Sequence, residues 1–391
     1  MAFLSSSLKR VFRSPSGVAA LVAAALSLPG IGDGSVGATS EGGTRAFLVT
    51  RSNPAFYYGS MEVDCPSGFE RTVEELFQAT LAPAERERLL RPENAREYGE
   101  AWKEGFTTGP GGENICNNPK SFLGDPRHPP HRGVQSKVAF GLNLDGTVDG
   151  RATAKSCGHP KFEGLNGEPA VDNQLYRAMG CAKVTRGAGE NVQPERGLDL
   201  YLIELRGVDD LRNDNAVDVG IYSTDDPSMV SQGGAHLPLQ SFRATANPRW
   251  RAKTRARIVD GLLTTDVIDT LLLRWRVQTT GLFGQASEHE FRDVRFQLSL
   301  QPDGTVKGIM GGYRPIENIS TNYRCCKSAA TAANRDCASE HAAFVAMADG
   351  YPDPGTGQCT MISSAMNVVG IPAFVIHDSS ASLSGPSARG Q

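Results

Sequence analysis

The stretch DVRFQLSLQPDGTVKGIM, residues 293–310, decides the fold class. Apolar and polar residues alternate over 294–300, which is the period-two pattern of a strand with one buried face. The turn 301–304 contains a proline that presets its own φ and a glycine that accepts a positive φ. A second apolar stretch returns over 306–310. The segment therefore predicts an antiparallel hairpin.

Similar strand patterns recur earlier in the chain. Residues 217–222 and 250–258 alternate in the same way, and 198–205 is mostly apolar, which suits a more central strand. Tight turns rather than long helices join these strands. We therefore predict a mainly β protein whose core, over residues 136–313, is an antiparallel β-sandwich or jelly roll.

Three further regions accompany this predicted core. Residues 39–135 form a mixed helix and loop segment, in which Thr72 and Glu75 have the spacing of a capping box that opens a helix. Residues 314–378 are predicted to be a small, cysteine-rich helical cap. The tail 379–391 is rich in serine, glycine and alanine, and its composition predicts disorder.

The first 38 residues have the pattern of an export signal. Three basic residues precede an apolar run over 17–28, and small residues at 36–38 form a cleavage site. The run is about a dozen residues, shorter than the ~20 that a membrane helix needs, and no later stretch predicts a span. The sequence thus predicts a periplasmic or extracellular protein. Cleavage would change the net charge from −3 to −5, which argues against a nucleic-acid partner.

The chain contains eight cysteines, all after the predicted signal peptide. An even number in an oxidising compartment favours disulfide bonds. Pairing between neighbours in sequence predicts Cys65–Cys116, Cys157–Cys181, and two bonds among Cys325, Cys326, Cys337 and Cys359. The alternative is a zinc or copper site formed by those last four cysteines and His341. No C-x-x-C-H motif occurs, so the sequence does not predict covalent haem.

A dense acidic turn lies at residues 143–149. Asn143, Asp145 and Asp149 offer side-chain oxygens around a glycine, and Asp172 follows where a folded-back segment could complete a shell. The seven residues resemble a fragment of the calcium loops of EF-hand, dockerin and thrombospondin-repeat type, without flanking helices and with asparagine first. They predict a structural calcium site. The alternative is a plain hairpin turn, which Asp-Gly also favours.

A wider resemblance covers residues 140–181. The order of Asp-Gly, a cysteine, and Asp-Asn-Gln-Leu-Tyr ahead of a strand-rich region is similar to that of exported bacterial β-rich proteins. The resemblance implies an envelope or extracellular setting and a β-rich body. It transfers no catalytic residue to this chain.

One strand of the predicted core has a strongly basic face. Side chains two residues apart point to the same side, so one row carries Arg251, Lys253, Arg255 and Arg257. If the next strand pairs with it, Arg274 and Arg276 join the row. Such a surface predicts an anionic envelope glycan or glycolipid as partner. The alternative is a solvated face neutralised by the acidic residues Asp266, Asp269, Glu288, Glu290 and Asp293.

The sequence contains no recognised catalytic signature. A Gly-x-Ser-x-Gly motif is missing, and two prolines between His128 and His131 prevent the helix that would align them on a metal. His159 and the segment 288–290 are the remaining acid–base candidates. The leading hypothesis is therefore an exported binding protein. A secreted glycan-acting enzyme and a structural or assembly protein are the alternatives.

Overall fold

The computed structural model describes residues 42–109, 111–186, 200–276, 286–324 and 334–377. The predicted signal peptide and the predicted disordered tail lie outside these residues. Strands account for 38% of the chain and helices for 22%, so the mainly β prediction is confirmed.

The sheet is a closed antiparallel barrel of eight strands with three additional strands. The strands are β1 Gly43–Pro54, β2 Tyr201–Val208, β3 Asp214–Ser223, β4 Gln240–Arg243, β5 Arg251–Val259, β6 Leu262–Thr265, β7 Ile268–Arg276, β8 Ala286–Leu300, β9 Val306–Pro315, β10 Gly350–Pro352 and β11 Cys359–Ile376. The barrel order is β1-β2-β3-β5-β6-β8-β9-β11, and β11 pairs again with β1. Strand β4 pairs with β11, β7 with β8, and β10 with β11.

The predicted sandwich or jelly roll is wrong, and the reason lies in two strands from the flanking regions. β1 belongs to the predicted mixed segment and β11 to the predicted helical cap, yet their pairing closes the sheet. A closed sheet has no free edge at that seam, whereas a sandwich consists of two separate sheets. The hairpin predicted over 293–310 is present as β8 and β9, joined by the turn 301–304.

Apolar side chains fill the barrel interior. Large residues from opposite walls meet there, including Tyr201, Phe296, Met310 and Met366. Each of the four is buried, and the residues before and after it in its strand point to the outer face of the barrel. The core therefore follows the period of two that the sequence pattern predicts.

Short helices surround the barrel. They are α1 Met61–Asp64, α2 Val73–Thr80, α3 Pro83–Leu89, α4 Ala95–Glu100, α5 Gln174–Met179, α6 Lys183–Arg186, α7 Ile316–Arg324 and α8 Cys337–Ala346, with a π-helical turn Ala101–Phe106 and 3₁₀ turns Pro92–Asn94, Pro119–Phe122 and Pro248–Trp250. The capping box is present as predicted, because the Glu75 N–H donates to the Thr72 hydroxyl and the Thr72 N–H donates to the Glu75 carboxylate.

Residues 136–173 form a long loop segment, not the first strands of the core. The segment makes isolated bridges and lies on the outer face of β9 and β11. Leu142 and Leu144 rest on Gly311 of β9, where a Cβ would come within 3.2 Å of both side chains. Glycine at 311 thus lets the loop approach the barrel wall closely.

Three disulfides attach the outer segments to one another and to the barrel. They join Cys65 to Cys181, Cys116 to Cys337 and Cys157 to Cys359. The local pairings Cys65–Cys116 and Cys157–Cys181 are wrong, because the fold brings together cysteines that are far apart in sequence. The prediction of two bonds among the last four cysteines is wrong for the same reason, since Cys337 and Cys359 pair with Cys116 and Cys157. Cys325 and Cys326 lie outside the described residues. The alternative cysteine–histidine metal site is excluded for Cys337 and Cys359, whose sulfurs are in disulfide bonds.

Candidate functional site

Five ionisable side chains meet beneath the loop segment, against the outer wall of the barrel. We call Asp145, His159, Lys161, Asp172 and Asp349 the buried polar cluster. Asp172 lies two residues before α5, and Asp349 directly precedes β10. Tyr313 of β9 lies beside the cluster, since the charges of Asp349, Asp172 and Asp145 all raise the pKa of its phenol after burial does so.

Lys161 bridges two carboxylates at the centre of the cluster. Its Nζ lies 2.6 Å from Asp145 Oδ1 and 2.5 Å from Asp172 Oδ1. The lysine side chain is only 7% exposed, and the aspartate side chains are 1% and 0% exposed. Screening by solvent is weak at such burial, so this ion pair is far stronger than one on the surface.

His159 is held in one orientation by contacts on both ring nitrogens. Nδ1 lies 2.8 Å from the Cys157 carbonyl oxygen, to which it donates, and Nε2 lies 2.7 Å from Asp172 Oδ1. Asp349 Oδ2 is 3.4 Å from the same Nε2. Burial lowers the pKa of His159, but the Asp172 hydrogen bond and the Asp349 charge together raise it above its ordinary value.

Asp349 is a completely buried acid of the cluster. Its Oδ1 accepts a 2.6 Å hydrogen bond from the Ser363 N–H of β11. Loss of solvation raises the pKa of Asp349 to about 6, against the opposing effect of His159. Among the described residues, Asp349 Oδ2 and the Tyr313 hydroxyl have no hydrogen-bond partner.

The acidic turn brings only part of the predicted calcium set together. Asp145 and Asp172 meet at Lys161, as described above. The Asn143 side chain instead accepts from the Gly146 N–H and donates to the Thr147 carbonyl. Asp149 is exposed and accepts from the Arg151 N–H. The oxygens of 143 and 149 therefore stabilise the turn itself, and calcium binding stays a prediction.

Sequence reasoning did not place Lys161, Asp349 or Tyr313 at this site. His159 and Lys161 are two residues apart, and an extended segment would direct both to one side. That spacing is the one local signal for the lysine. Asp349 and Tyr313 come from distant parts of the chain, and no local pattern connects them to the loop.

The predicted basic row lies on the outer surface of β5. Lys253, Arg255 and Arg257 are exposed, and Arg251 is half-buried with its guanidinium 5.1 Å from the centre of the Tyr222 ring. Arg255 approaches Asp218 of β3 at 3.8 Å, where both side chains remain exposed. Within the described part of the chain, Lys253, Arg251 and Arg257 form no salt bridge.

The row does not extend onto β7. β7 pairs with β8, whereas β5 pairs with β3 and β6. Arg274 is largely buried, 2.5 Å from Asp225. Arg276 belongs to β7, but its side chain lies outside the described residues.

Three of the five acids expected to neutralise the row have other partners. Glu288 contacts Arg249, Glu290 contacts Arg292, and Asp293 contacts Lys155. Neutralisation of the row by these three acids is therefore not observed, and the cross-strand partner of Arg255 is Asp218.

Two other histidines considered for catalysis, His128 and His289, have structural contacts. His128 Nδ1 lies 3.0 Å from Asp336 Oδ2, and its ring packs beside Phe106 and Phe122. His289 is buried with Nδ1 2.6 Å from Arg314 Nη2, and burial lowers its pKa well below the ordinary value. Both histidines act as packing and hydrogen-bonding groups.

No protein-family model, curated protein or solved structure matches the chain. Across the described residues, no helix combines the length and the apolar character needed to cross a membrane.

Proposed function

We propose that the protein is an exported binding protein that holds a linear, polyanionic glycan along the outer surface of β5. Three disulfides and the sequence pattern of residues 1–38 support export, because disulfides persist in oxidising compartments.

The observation that carries the proposal is the row of cations on β5. Alternate residues of a strand are ~6.6–6.8 Å apart, so the four side chains form a regular line of positive charge. Three of them are exposed, and the acids predicted to neutralise them are largely engaged elsewhere. Guanidinium groups recognise carboxylate or phosphate by paired hydrogen bonds, and lysine adds a compact charge.

A single line of charge favours a polymer chain over a lipid surface. The row follows one strand on the outside of a closed barrel. On the neighbouring strand β3, Gly220 lies opposite Lys253 and Tyr222 lies opposite Arg251. A Cβ on Gly220 would lie 2.0 Å from the Tyr222 hydroxyl, so the glycine makes room for the buried Tyr222 ring, which packs under Arg251. A chain of anionic sugars can follow this line through contacts with the cationic side chains.

The test is binding of polygalacturonate, a carboxylate polymer, to the mature oxidised protein. Arg251→Glu with Arg255→Glu reverses two charges of the row and is expected to weaken binding on the order of tenfold or more at low salt. The wild-type protein should also lose affinity between 0.1 M and 1 M salt, where the screening length falls from ~10 to ~3 Å.

A matched control makes the same change of net charge elsewhere. Arg91→Glu with Arg96→Glu alters two exposed arginines outside the barrel, with side chains 56% and 91% exposed. This variant should bind as the wild type does. Equal loss in both variants would mean attraction by net charge alone, and salt-insensitive binding that survives in the β5 variant would reject the row. Binding to phosphatidylglycerol vesicles but not to the polymer would also reject a glycan ligand.

The geometry does not favour the glycan-acting enzyme. Asp145 and Asp172 are the paired carboxylates that the fold brings together, and both are buried and bonded to Lys161. A sugar chain cannot reach them without opening of the loop segment.

A further inference from the structure

We propose that the buried polar cluster is a binding site for a divalent transition-metal ion of the zinc class, with Asp145, His159, Asp172 and Asp349 as ligands. The site lies on the β9–β11 wall and is independent of the glycan proposal for β5.

Donor atoms of three side chains converge in the cluster. One oxygen each of Asp145 and Asp172 and a ring nitrogen of His159 all lie within 4.8 Å of one another. Zinc takes carboxylate oxygens and imidazole nitrogens at ~2.0–2.2 Å, usually with four ligands. Small movements of side chains would bring these atoms into the first shell of one ion.

A buried carboxylate oxygen without a hydrogen-bond partner in the described part of the chain lies beside the same histidine. Asp349 Oδ2 is completely buried, has no hydrogen-bond partner among the described residues, and lies 3.4 Å from His159 Nε2. A buried carboxylate oxygen without a partner is costly in free energy, and such groups call for an explanation such as a missing ion. An ion between His159 and Asp349 would satisfy this oxygen, and Asp349 would be the fourth ligand of the ion.

The ring of His159 is held in an orientation suited to metal binding. Its Nδ1–H donates to the Cys157 carbonyl, which leaves Nε2 directed towards Asp172 and Asp349. Histidines that bind metals typically donate their other ring nitrogen to a carbonyl or carboxylate, which fixes the tautomer. Cys157 is itself anchored to β11 through Cys359. The supporting contact is therefore part of the covalent framework.

Lys161 determines how tightly the ion is held. Its ammonium contacts one oxygen of each of two proposed ligands, Asp145 Oδ1 and Asp172 Oδ1. The lysine thus acts as a competing cation attached to the protein. With His159 neutral, three ionised carboxylates balance Lys161 and one divalent ion, so the occupied site carries no net charge. Removal of the ammonium should strengthen metal binding.

The ligand set also selects against calcium. Calcium prefers six to eight oxygen donors, whereas an imidazole nitrogen suits zinc and its neighbours in the periodic table. Asn143 and Asp149, which a calcium loop would use, have hydrogen bonds within the turn instead.

The experiment is calorimetric titration of the mature oxidised protein with zinc chloride and, separately, with calcium chloride, after treatment with a chelator. We expect one zinc per chain and clearly weaker calcium binding. His159→Gln should reduce zinc affinity on the order of tenfold or more. His236→Gln, a histidine bonded to Ser228 away from the cluster, is the matched control and should bind normally. Lys161→Met should bind zinc more tightly than the wild type.

Several outcomes would overturn the site. Zinc affinity unchanged by His159→Gln places the ion elsewhere. Absence of saturable binding in the wild type means that Lys161 is the resident cation, even if Lys161→Met then binds zinc. Near-ultraviolet circular dichroism establishes that each variant is folded, and the pair of histidine variants decides the question if Lys161→Met does not fold.

Discussion

At the scale of single residues, His341 makes stability depend on pH. It is buried in α8, and its Nδ1 lies 2.8 Å from the Ser320 hydroxyl of α7. Burial lowers its pKa from 6.5. The unfolded chain therefore binds more protons than the folded chain below that pH, and the free energy of unfolding falls as pH decreases. His341→Gln cannot titrate and should lose less stability.

The measurement is the urea midpoint at pH 7 and at pH 5 for both proteins. The wild type should show the larger decrease on acidification. Ser320→Ala serves as the control, because it removes the hydrogen bond but keeps the titrating ring. It should lower the midpoint at both pH values. An identical pH effect in the wild type and His341→Gln would contradict the assignment.

The residues of the buried polar cluster show what sequence can predict at this scale. Asp145 and Asp172 were predictable because closely spaced carboxylates in and after a glycine-containing turn are a recognisable pattern of cation-binding loops. Sequence alone did not distinguish Asn143 from these two residues, although the Asn143 side-chain oxygen accepts a hydrogen bond within the turn. Asp349 follows a helix in another region, and only the pairing of β9, β10 and β11 brings it to the loop.

At the scale of elements, the contact of β8 with β9 requires a glycine at 308. A Cβ on Gly308 would lie 2.0 Å from the Gln297 carbonyl oxygen and 2.9 Å from the Leu298 Cα. Both are backbone atoms, so relief requires movement of a strand. Gly308→Ala is expected to decrease the free energy of unfolding by about 1–3 kcal/mol, or more if the barrel cannot adjust.

For a glycine within a helix, substitution by alanine is expected to stabilise the protein. Gly99 of α4 has open space beside its Cα. Among the described residues, nothing beyond the chain neighbours and the backbone of the helix itself comes within 4 Å of the position that an alanine Cβ would take. Gly99→Ala should increase the free energy of unfolding by about 0.5–1 kcal/mol, because alanine favours the helix. Urea denaturation of both variants tests the pair. A tolerated alanine at 308 would show that β8 and β9 are not packed as described.

The strands that sequence reveals are those with one exposed face. β5 and β8 alternate clearly, since water or a charged surface covers one side. β11 has no such pattern, because Met366 and Val368 face the barrel interior while Ser363 and Ala365 lie under the loop segment, all buried. A strand covered on both faces loses its alternation. The region was therefore predicted as a helical cap.

At the scale of the whole molecule, closure depends on contacts between the ends of the chain. The register pairs Ala46 of β1 with Ala373 of β11, and no local pattern specifies such a pairing. A sandwich and a barrel can be built from the same set of alternating strands. Sequence therefore predicted β structure and antiparallel hairpins, while the closed architecture and the long-range disulfides required the structure.

Removal of individual disulfides can distinguish an effect on global stability from an effect on metal binding. Cys157–Cys359 and Cys116–Cys337 span 202 and 221 residues. By the chain-entropy model each contributes up to about 5 kcal/mol. The double variants Cys157→Ser with Cys359→Ser, and Cys116→Ser with Cys337→Ser, should therefore lose similar stability in urea denaturation. Only the first releases the segment whose Cys157 carbonyl orients His159, so only it should lose zinc affinity. Equal loss of zinc affinity in both would mean that binding follows overall stability and not the orientation of this histidine.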